Sequence, residues 1–424
     1  MNRLLCRAVL SLFVLFAFSS WSAQAEDINV TASQEWRSFV EPLLPLGERL
    51  VAQIKEPEDA QLRAELYRAT FSALATGYLS LLLTDPDHPD FVPFTGQLLN
   101  MLGPNPDNVY YMAPLQDDGV YKVSGFRGSV HIIEFQIAGG NFVTRGEGNV
   151  LGTPFANYDI DSLHVGKKGS FAVVISRERP PGWKGDWWPM PPTATNLVVR
   201  QIAYDWAGEV DGRMAIERLD RAAIKPRPSA EQISANLKQL AAWSENYVAI
   251  SNRFVKYFGN KAPTNAVSFI NFGDDGGMPS QKYLEGMFDL QADEALILET
   301  DVPQQCQYWS FQLTDERWTS YDWVNRQISI NGHQAKRDKD GKFRAVISTQ
   351  DPGVPNWLDT GGLKRGVIQG RWKKCTSAPL PVASKVKVAD VRKYLPADTP
   401  VVSAEVRDAE IRRRHRAVMM RKRW

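Results

Sequence analysis

The strongest constraint on the fold is a repeat within the chain. Gly169-Ser-Phe-Ala-Val-Val-Ile-Ser176 lines up with Gly341-Lys-Phe-Arg-Ala-Val-Ile-Ser348 at an offset of 172 residues, and Pro180-Pro181 and Pro352-Gly353 follow at the same offset. Tryptophans come next in each copy, Trp183, Trp187 and Trp188 in the first and Trp357 in the second. Each copy then ends in a strand-like run, Leu197 to Ile202 or Val367 to Trp372. Upstream, Glu134-Phe-Gln-Ile137 matches Ser310-Phe-Gln-Leu313 at an offset of 176. Any one of these matches is what a turn into a strand looks like. Their common order marks a duplicated structural unit.

Both copies consist of short Val/Ile/Phe/Tyr runs bounded by Gly, Asp-Gly or Pro, among them Val120 to Val123, Val130 to Ile137, Ala295 to Glu299 and Tyr308 to Leu313. Strands separated by turns, without intervening helices, predict a mainly β chain of two antiparallel sandwiches. Helical spacing is confined to two places. Within 34–84, Leu62, Leu66, Ala69, Ala73, Gly77 and Leu81 recur at three- and four-residue steps until Asp85-Pro86-Asp87 stops the helix. A second helix is expected from Ser229 to Phe258, opened by the capping-box pattern Ser229-Ala-Glu-Gln232. The expected layout is a leader at 1–25, a helical region at 26–100 and a first sandwich at 101–228. A helical connector at 229–262, a second sandwich at 263–376 and a linker with a basic helix at 377–424 complete it.

Arg3 and Arg7, the apolar run Ala8 to Phe18 and the small-x-small site Ala23-Gln24-Ala25 have the three parts of a secretory signal. They predict a periplasmic or secreted protein. No later apolar run reaches the ~20 residues of a spanning helix. The formal charge of +2 falls to zero once Arg3 and Arg7 are removed, which argues against nucleic acid as a partner. Cys306 and Cys375 then form an even pair, either a disulfide closing 69 residues or two buried thiols.

Tyr308-Trp-Ser-Phe-Gln-Leu313, Asn331-Gly-His-Gln334, Asp340-Gly-x-Phe343 and above all Asp351-Pro-Gly-Val-Pro-Asn-Trp-Leu-Asp-Thr360 carry a family likeness. On these residues the second sandwich resembles the bacterial family catalogued as domain of unknown function 1214. Pro106-Asp-Asn-Val-Tyr110 is similar to the upstream context of that family. The resemblance implies β-sandwiches of jelly-roll or galactose-binding-like character. It implies no activity.

The most conspicuous candidate sites are the two tryptophan-bearing loops. In Asp351 to Thr360, prolines and a glycine stiffen a turn that presents Asn356, Trp357 and Asp359, and Pro180 to Pro192 is the first-copy equivalent with Trp183, Trp187 and Trp188. An indole beside an amide and a carboxylate suits a sugar ring, so these five aromatic and amide positions are candidate ligand contacts. The alternative is that the tryptophans cap the sandwiches. His333, in the turn Asn331-Gly332-His333, and Asp359 are the candidate acid/base pair. The five histidines (88, 131, 164, 333 and 415) have no metal-ligand spacing, so neither a metal nor a cofactor is expected. Residues 403–424 hold eight Lys/Arg against three acids, with Val406, Ala409, Ala417, Met420 and Trp424 at helical spacing. Such a helix suits an anionic membrane or polymer, or packs on the body. The expected function is binding of a glycan, small molecule or other envelope component between tandem sandwiches. A hydrolase or lyase acting on a polysaccharide or lipid-linked substrate is the second reading, and a homo-oligomeric scaffold the third.

Overall fold

A computed structural model of the chain describes residues 33–53, 60–97, 99–140, 153–272 and 277–421. The leader expected at 1–25 lies outside them. The amino-terminal helices are α1 (Gln34–Val40), α2 (Leu46–Val51) and α3 (Ala60–Tyr78), the last continuing as a wider turn over Leu79–Leu83. A 3-10 turn with Pro42 at its start, and Pro45 after it, separate α1 from α2. Helix α4 (Ala230–Lys261) begins at a capping box in which Ser229 and Gln232 satisfy each other's backbone N–H. It packs on α3 where Gly77 allows close approach, a Cβ there meeting Leu240 at 2.4 Å.

The first β-unit holds β1 (Val92–Pro93), β2 (Asn108–Pro114), β3 (Tyr121–Phe126), β4 (Ile132–Gly139) and β5 (Thr153–Asp159). It continues with β6 (Ser170–Ser176), β7 (Asp186–Pro189), β8 (Ala194–Ile202) and β9 (Arg213–Arg218). The second holds β10 (Ser268–Ile270), β11 (Gln281–Asp289), β12 (Glu294–Thr300), β13 (Cys306–Thr314) and β14 (Ser329–Asn331). It is completed by β15 (Phe343–Ser348), β16 (Trp357–Asp359), β17 (Arg365–Cys375) and β18 (Val382–Lys387).

The sheet orders are β1-β2-β8-β4-β5 with β7-β6-β3-β9, and β10-β11-β17-β13-β14 with β16-β15-β12-β18. The second pair is the first with every label advanced by nine, including the parallel pairs β6/β7 and β15/β16. In each unit the inward-facing residues of both sheets share one core. Ile133, Phe135, Ile137, Leu197 and Val199 meet Val123, Val173 and Ile175 in the first. Phe311, Leu313 and Ile368 meet Leu296, Leu298, Phe343 and Ile347 in the second. The strict alternation of such side chains holds the register, because a one-residue slip would turn the whole set to the other face.

Two expectations are corrected. The tryptophan stretches are not free loops: β7 and β16 pair with β6 and β15, and so become sheet edges. The stretch expected as a linker carries β18, which pairs antiparallel with β12 and completes its sheet. Its Thr-Ser-Ala-Pro-Leu-Pro approach masked an edge strand that carries the polar Ser384, Lys385 and Lys387. The carboxy-terminal helix, α5 (Ala404–Met420), packs on the body, one of the outcomes expected for it, with Ala417 and Val418 in the first unit's core. Arg407 bonds Asp351 and the Val354 carbonyl, and Arg414 bonds Ser329 and the Trp323 carbonyl while covering the Trp206 ring. Arg421, just past the helix, bonds Asp211 and the Asp107 carbonyl. Cys306 and Cys375 are joined in a disulfide that ties β13 to β17.

Candidate binding site between the two units

A sheet in a solvated sandwich buries one face and wets the other. Here the outward faces of the two five-stranded sheets meet. Glu134, Gln136 and Arg200 from the first, and Gln281, Glu285, Gln312, Gln369, Arg371 and Lys373 from the second, are all buried. Lys373 Nζ donates to Glu134 Oε1 at 2.5 Å and to Ser280 Oγ at 2.7 Å, and burial pulls its pKa down. Further along the seam, Asp107 accepts from Trp206 Nε1 (2.7 Å), Asn331 Nδ2 (2.8 Å) and the Tyr308 hydroxyl (2.5 Å). Burial raises the Asp107 carboxyl, while these three donors oppose the shift. Polar side chains pair across this seam, with Ile132 and Ile202 of the first unit packed against Met278 and Tyr308 of the second.

Within this seam the duplication repeats its chemistry. On the first sheet Arg200 of β8 lies opposite Tyr110 of β2, and its Nη2 donates to Gln136 Oε1 of β4 at 3.1 Å. On the second, Arg371 of β17 lies opposite Tyr283 of β11, and its Nη1 donates to Gln312 Oε1 of β13 at 2.9 Å. Asn108 opens β2 as Gln281 opens β11, each two residues ahead of its tyrosine. The Tyr110 hydroxyl accepts from the Asn105 N–H at 3.0 Å, and the Tyr283 hydroxyl from the Met278 N–H at 2.9 Å, each five residues earlier.

Asn108, Tyr110 and Arg200 from the first unit and Gln281, Tyr283 and Arg371 from the second line one cavity of about 80 Å³. Phe94, Leu102, Phe272 and Trp318 supply its apolar wall. The side-chain oxygens of Asn108 and Gln281 are buried there without a hydrogen-bond partner among the described residues. Burial pushes the Tyr283 hydroxyl pKa up, while the nearby guanidiniums of Arg200 and Arg371 oppose that rise and Tyr110 adds to it. Arg371 also donates to Gln369 Oε1, and no carboxylate pairs with it among the described residues. Next to it, burial pushes Glu285 up to about 8, so this carboxyl is mostly protonated at neutral pH. Gln369 Nε2 donates to its Oε1 at 3.0 Å, and its Oε2 has no partner among the described residues.

The residues singled out from sequence lie elsewhere. Trp357 is buried, donates from Nε1 to the Ser348 carbonyl at 3.0 Å, and is covered by Arg407. Asn356 uses its whole amide on backbone, accepting from Lys336 N–H and donating to the Lys336 and Arg344 carbonyls. Trp188 is buried and stacks on Tyr158 at 4.5 Å. Trp187 and Trp183 are half-buried and donate to Ser176 Oγ and the Asp186 carbonyl. The tryptophan edges are closed by their own backbones. Asp359 pairs with Arg326 at 2.8 Å and accepts from the Gly361 N–H. His333 is exposed, 3.8 Å from Asp205, in a depression that Asp359 does not line. The expected acid/base pair is therefore not assembled.

Residues 287–366 match the family model described as Protein of unknown function (DUF1214). The DUF1214 match starts within β11 and stops within β17, so it takes in Gln312 but leaves Gln281, Tyr283 and Arg371 just outside its limits. A crystal structure of an uncharacterised protein from Burkholderia cenocepacia is similar across both units. It is 27% identical with a TM-score of 0.76, over 84% of this chain and 97% of that one. A Vibrio parahaemolyticus protein of known structure is 13% identical, over 81% of this chain and 100% of that one, at a TM-score of 0.44. No curated protein matches the sequence. Among the described residues no helix is long and apolar enough to cross a membrane, and no group of side chains is arranged to hold a metal ion.

Proposed function

We propose that this is a cell-envelope protein that binds a small organic anion in the cavity between its two β-units. The observation that carries this reading is Arg371, a buried guanidinium on the cavity wall whose partners are neutral amides. A buried charge is costly unless it is paired, and a carboxylate offers a guanidinium two parallel charge-assisted hydrogen bonds. Arg200 approaches the same cavity from the other unit. The leader-like amino terminus and the disulfide favour an oxidising compartment. A glycan is the less favoured ligand. A cavity of about 80 Å³ is well below the 300–1,000 Å³ of pockets for drug-sized ligands, and Trp188 and Trp357 are buried.

Calorimetric titration of the purified protein with short carboxylic acids tests the reading. Binding is expected, and Arg371→Gln is expected to weaken it at least tenfold, since a hydrogen bond to a charged group contributes about 1.5–3 kcal/mol. If no short carboxylate or inorganic oxyanion binds at millimolar concentration, the reading fails.

A further inference from the structure

A carboxylate on Arg371 would meet only one part of the cavity wall, and two buried amides make up another. We infer that the ligand is a short hydroxycarboxylate, with its carboxylate on Arg371 and its hydroxyls donating to the side-chain oxygens of Asn108 and Gln281. Resting on the anion-binding reading, this narrows the ligand from any small anion to one class.

Three observations support it. Asn108 and Gln281 hold equivalent places, each opening its strand two residues ahead of a tyrosine, so the duplication sets a primary amide on both sides of one small space. Both side chains are more than nine-tenths buried, and their oxygens accept nothing from the described residues. Buried acceptors are nearly always met, because one left without a donor is costly. A plain carboxylate has no proton to give them, and a hydroxyl has one. Next, the Tyr110 and Tyr283 hydroxyls each accept a backbone N–H, which leaves one phenol proton apiece, and no acceptor among the described residues takes it. A hydroxyl accepts as well as donates, so it can take a proton from a phenol while giving its own to an amide oxygen, whereas an ammonium only donates. Lastly, the buried Arg371 guanidinium acts on the Tyr283 hydroxyl, which puts a cation beside this part of the wall. Like charges repel strongly in a poorly solvated space, so the donor that meets the amides is a neutral one. The volume bounds the size. About 80 Å³ is under three waters' share of the liquid, each being about 30 Å³, which suits an acid of two or three carbons. Phe94 and Trp318 on the apolar wall would cover the carbon face between the polar groups.

The experiment is calorimetric titration of the full chain, at neutral pH and fixed ionic strength, with propionate, racemic lactate, racemic glycerate and alanine, all of the same carbon count. At least one hydroxy acid is expected to bind about fivefold or more tighter than propionate, the order expected when a buried acceptor gains its donor, and alanine is expected to bind more weakly than lactate. Asn108→Leu and Gln281→Met keep the size of each side chain and remove its acceptor. Each should lower the ratio of hydroxy-acid to propionate affinity several-fold. Thermal melts establish that the variants fold. Should neither fold, Tyr110→Phe and Tyr283→Phe form the second pair and should lower the same ratio. Equal affinity for propionate and both hydroxy acids would overturn the hydroxycarboxylate inference alone, as would alanine binding tightest or a ratio that survives in every folded variant. Absence of binding by all four acids and by inorganic phosphate would overturn the broader reading as well.

Discussion

The tryptophan-bearing edges and the arginine-bearing seam pose opposite cases. At β7 and β16 the aromatic side chains are the conspicuous residues, yet the indole N–H groups of Trp183, Trp187 and Trp357 each find an oxygen of their own unit. In the seam the side chains are less conspicuous, but Asn108, Gln281 and Glu285 keep oxygens without partners among the described residues, and Arg371 is held by amides. Capacity to bind follows unmet hydrogen-bonding and charge in a buried space. Exposed-looking aromatics in a sequence do not establish it, because an edge strand can bury them as readily as a ligand can.

The largest expected effects test whether the seam holds the units together. Lys373→Met should destabilise the protein by about 3–5 kcal/mol, since it leaves Glu134 buried without its cation. Adding Glu134→Met should recover most of that loss. Denaturant unfolding of the two single variants and the double variant measures the coupling, and a cycle with no interaction energy would mean that the two sheets are not joined there.

Of similar size, Trp357→Ala and Trp188→Ala should each cost about 3–5 kcal/mol as buried aromatic truncations while leaving anion affinity unchanged. If either variant instead kept its stability and lost binding, the assignment of edge and seam would be reversed.

Glu285 sharpens the comparison through pH. Its carboxyl is raised from an ordinary value near 4.5 to about 8 by burial, so the folded state holds a proton that the unfolded state has released. Its contribution is complete below about pH 4.5 and is lost as pH rises towards about 8. Glu285→Gln should therefore match the parent at pH 5 and exceed it by a few kcal/mol at pH 9, because each tenfold difference in proton affinity between the two states corresponds to about 1.4 kcal/mol. Chemical denaturation at the two pH values reads this directly. Smallest of all, Trp183→Ala at its half-buried edge should change stability by no more than about 1 kcal/mol.

Much of the fold was legible in the sequence. The repeat around Phe171 and Phe343 falls on corresponding strands β6 and β15, and Glu134 to Ile137 and Ser310 to Leu313 fall on β4 and β13. Alternation reveals strands because burial of one face has a period of two. It failed at β7 and β16, which are short, and at β18, which follows closely on prolines; all three pair on one side only. Part of the site was legible too: Gln136 and Gln312 sit inside the matched segments, and an arginine interrupts each apolar run at Arg200 and Arg371. The signal was a cation placed mid-strand in both copies.

Local pattern thus determined which residues of each unit face its own core, because that choice depends only on neighbours along the strand. Which faces the two units turn towards each other depends on pairs such as Glu134 with Lys373 and Asp107 with Tyr308, separated by 239 and 201 residues. Contacts that distant leave no periodic trace in a chain. Tertiary structure alone decided that the polar faces would close on one another, leaving a small cavity with a guanidinium from each side.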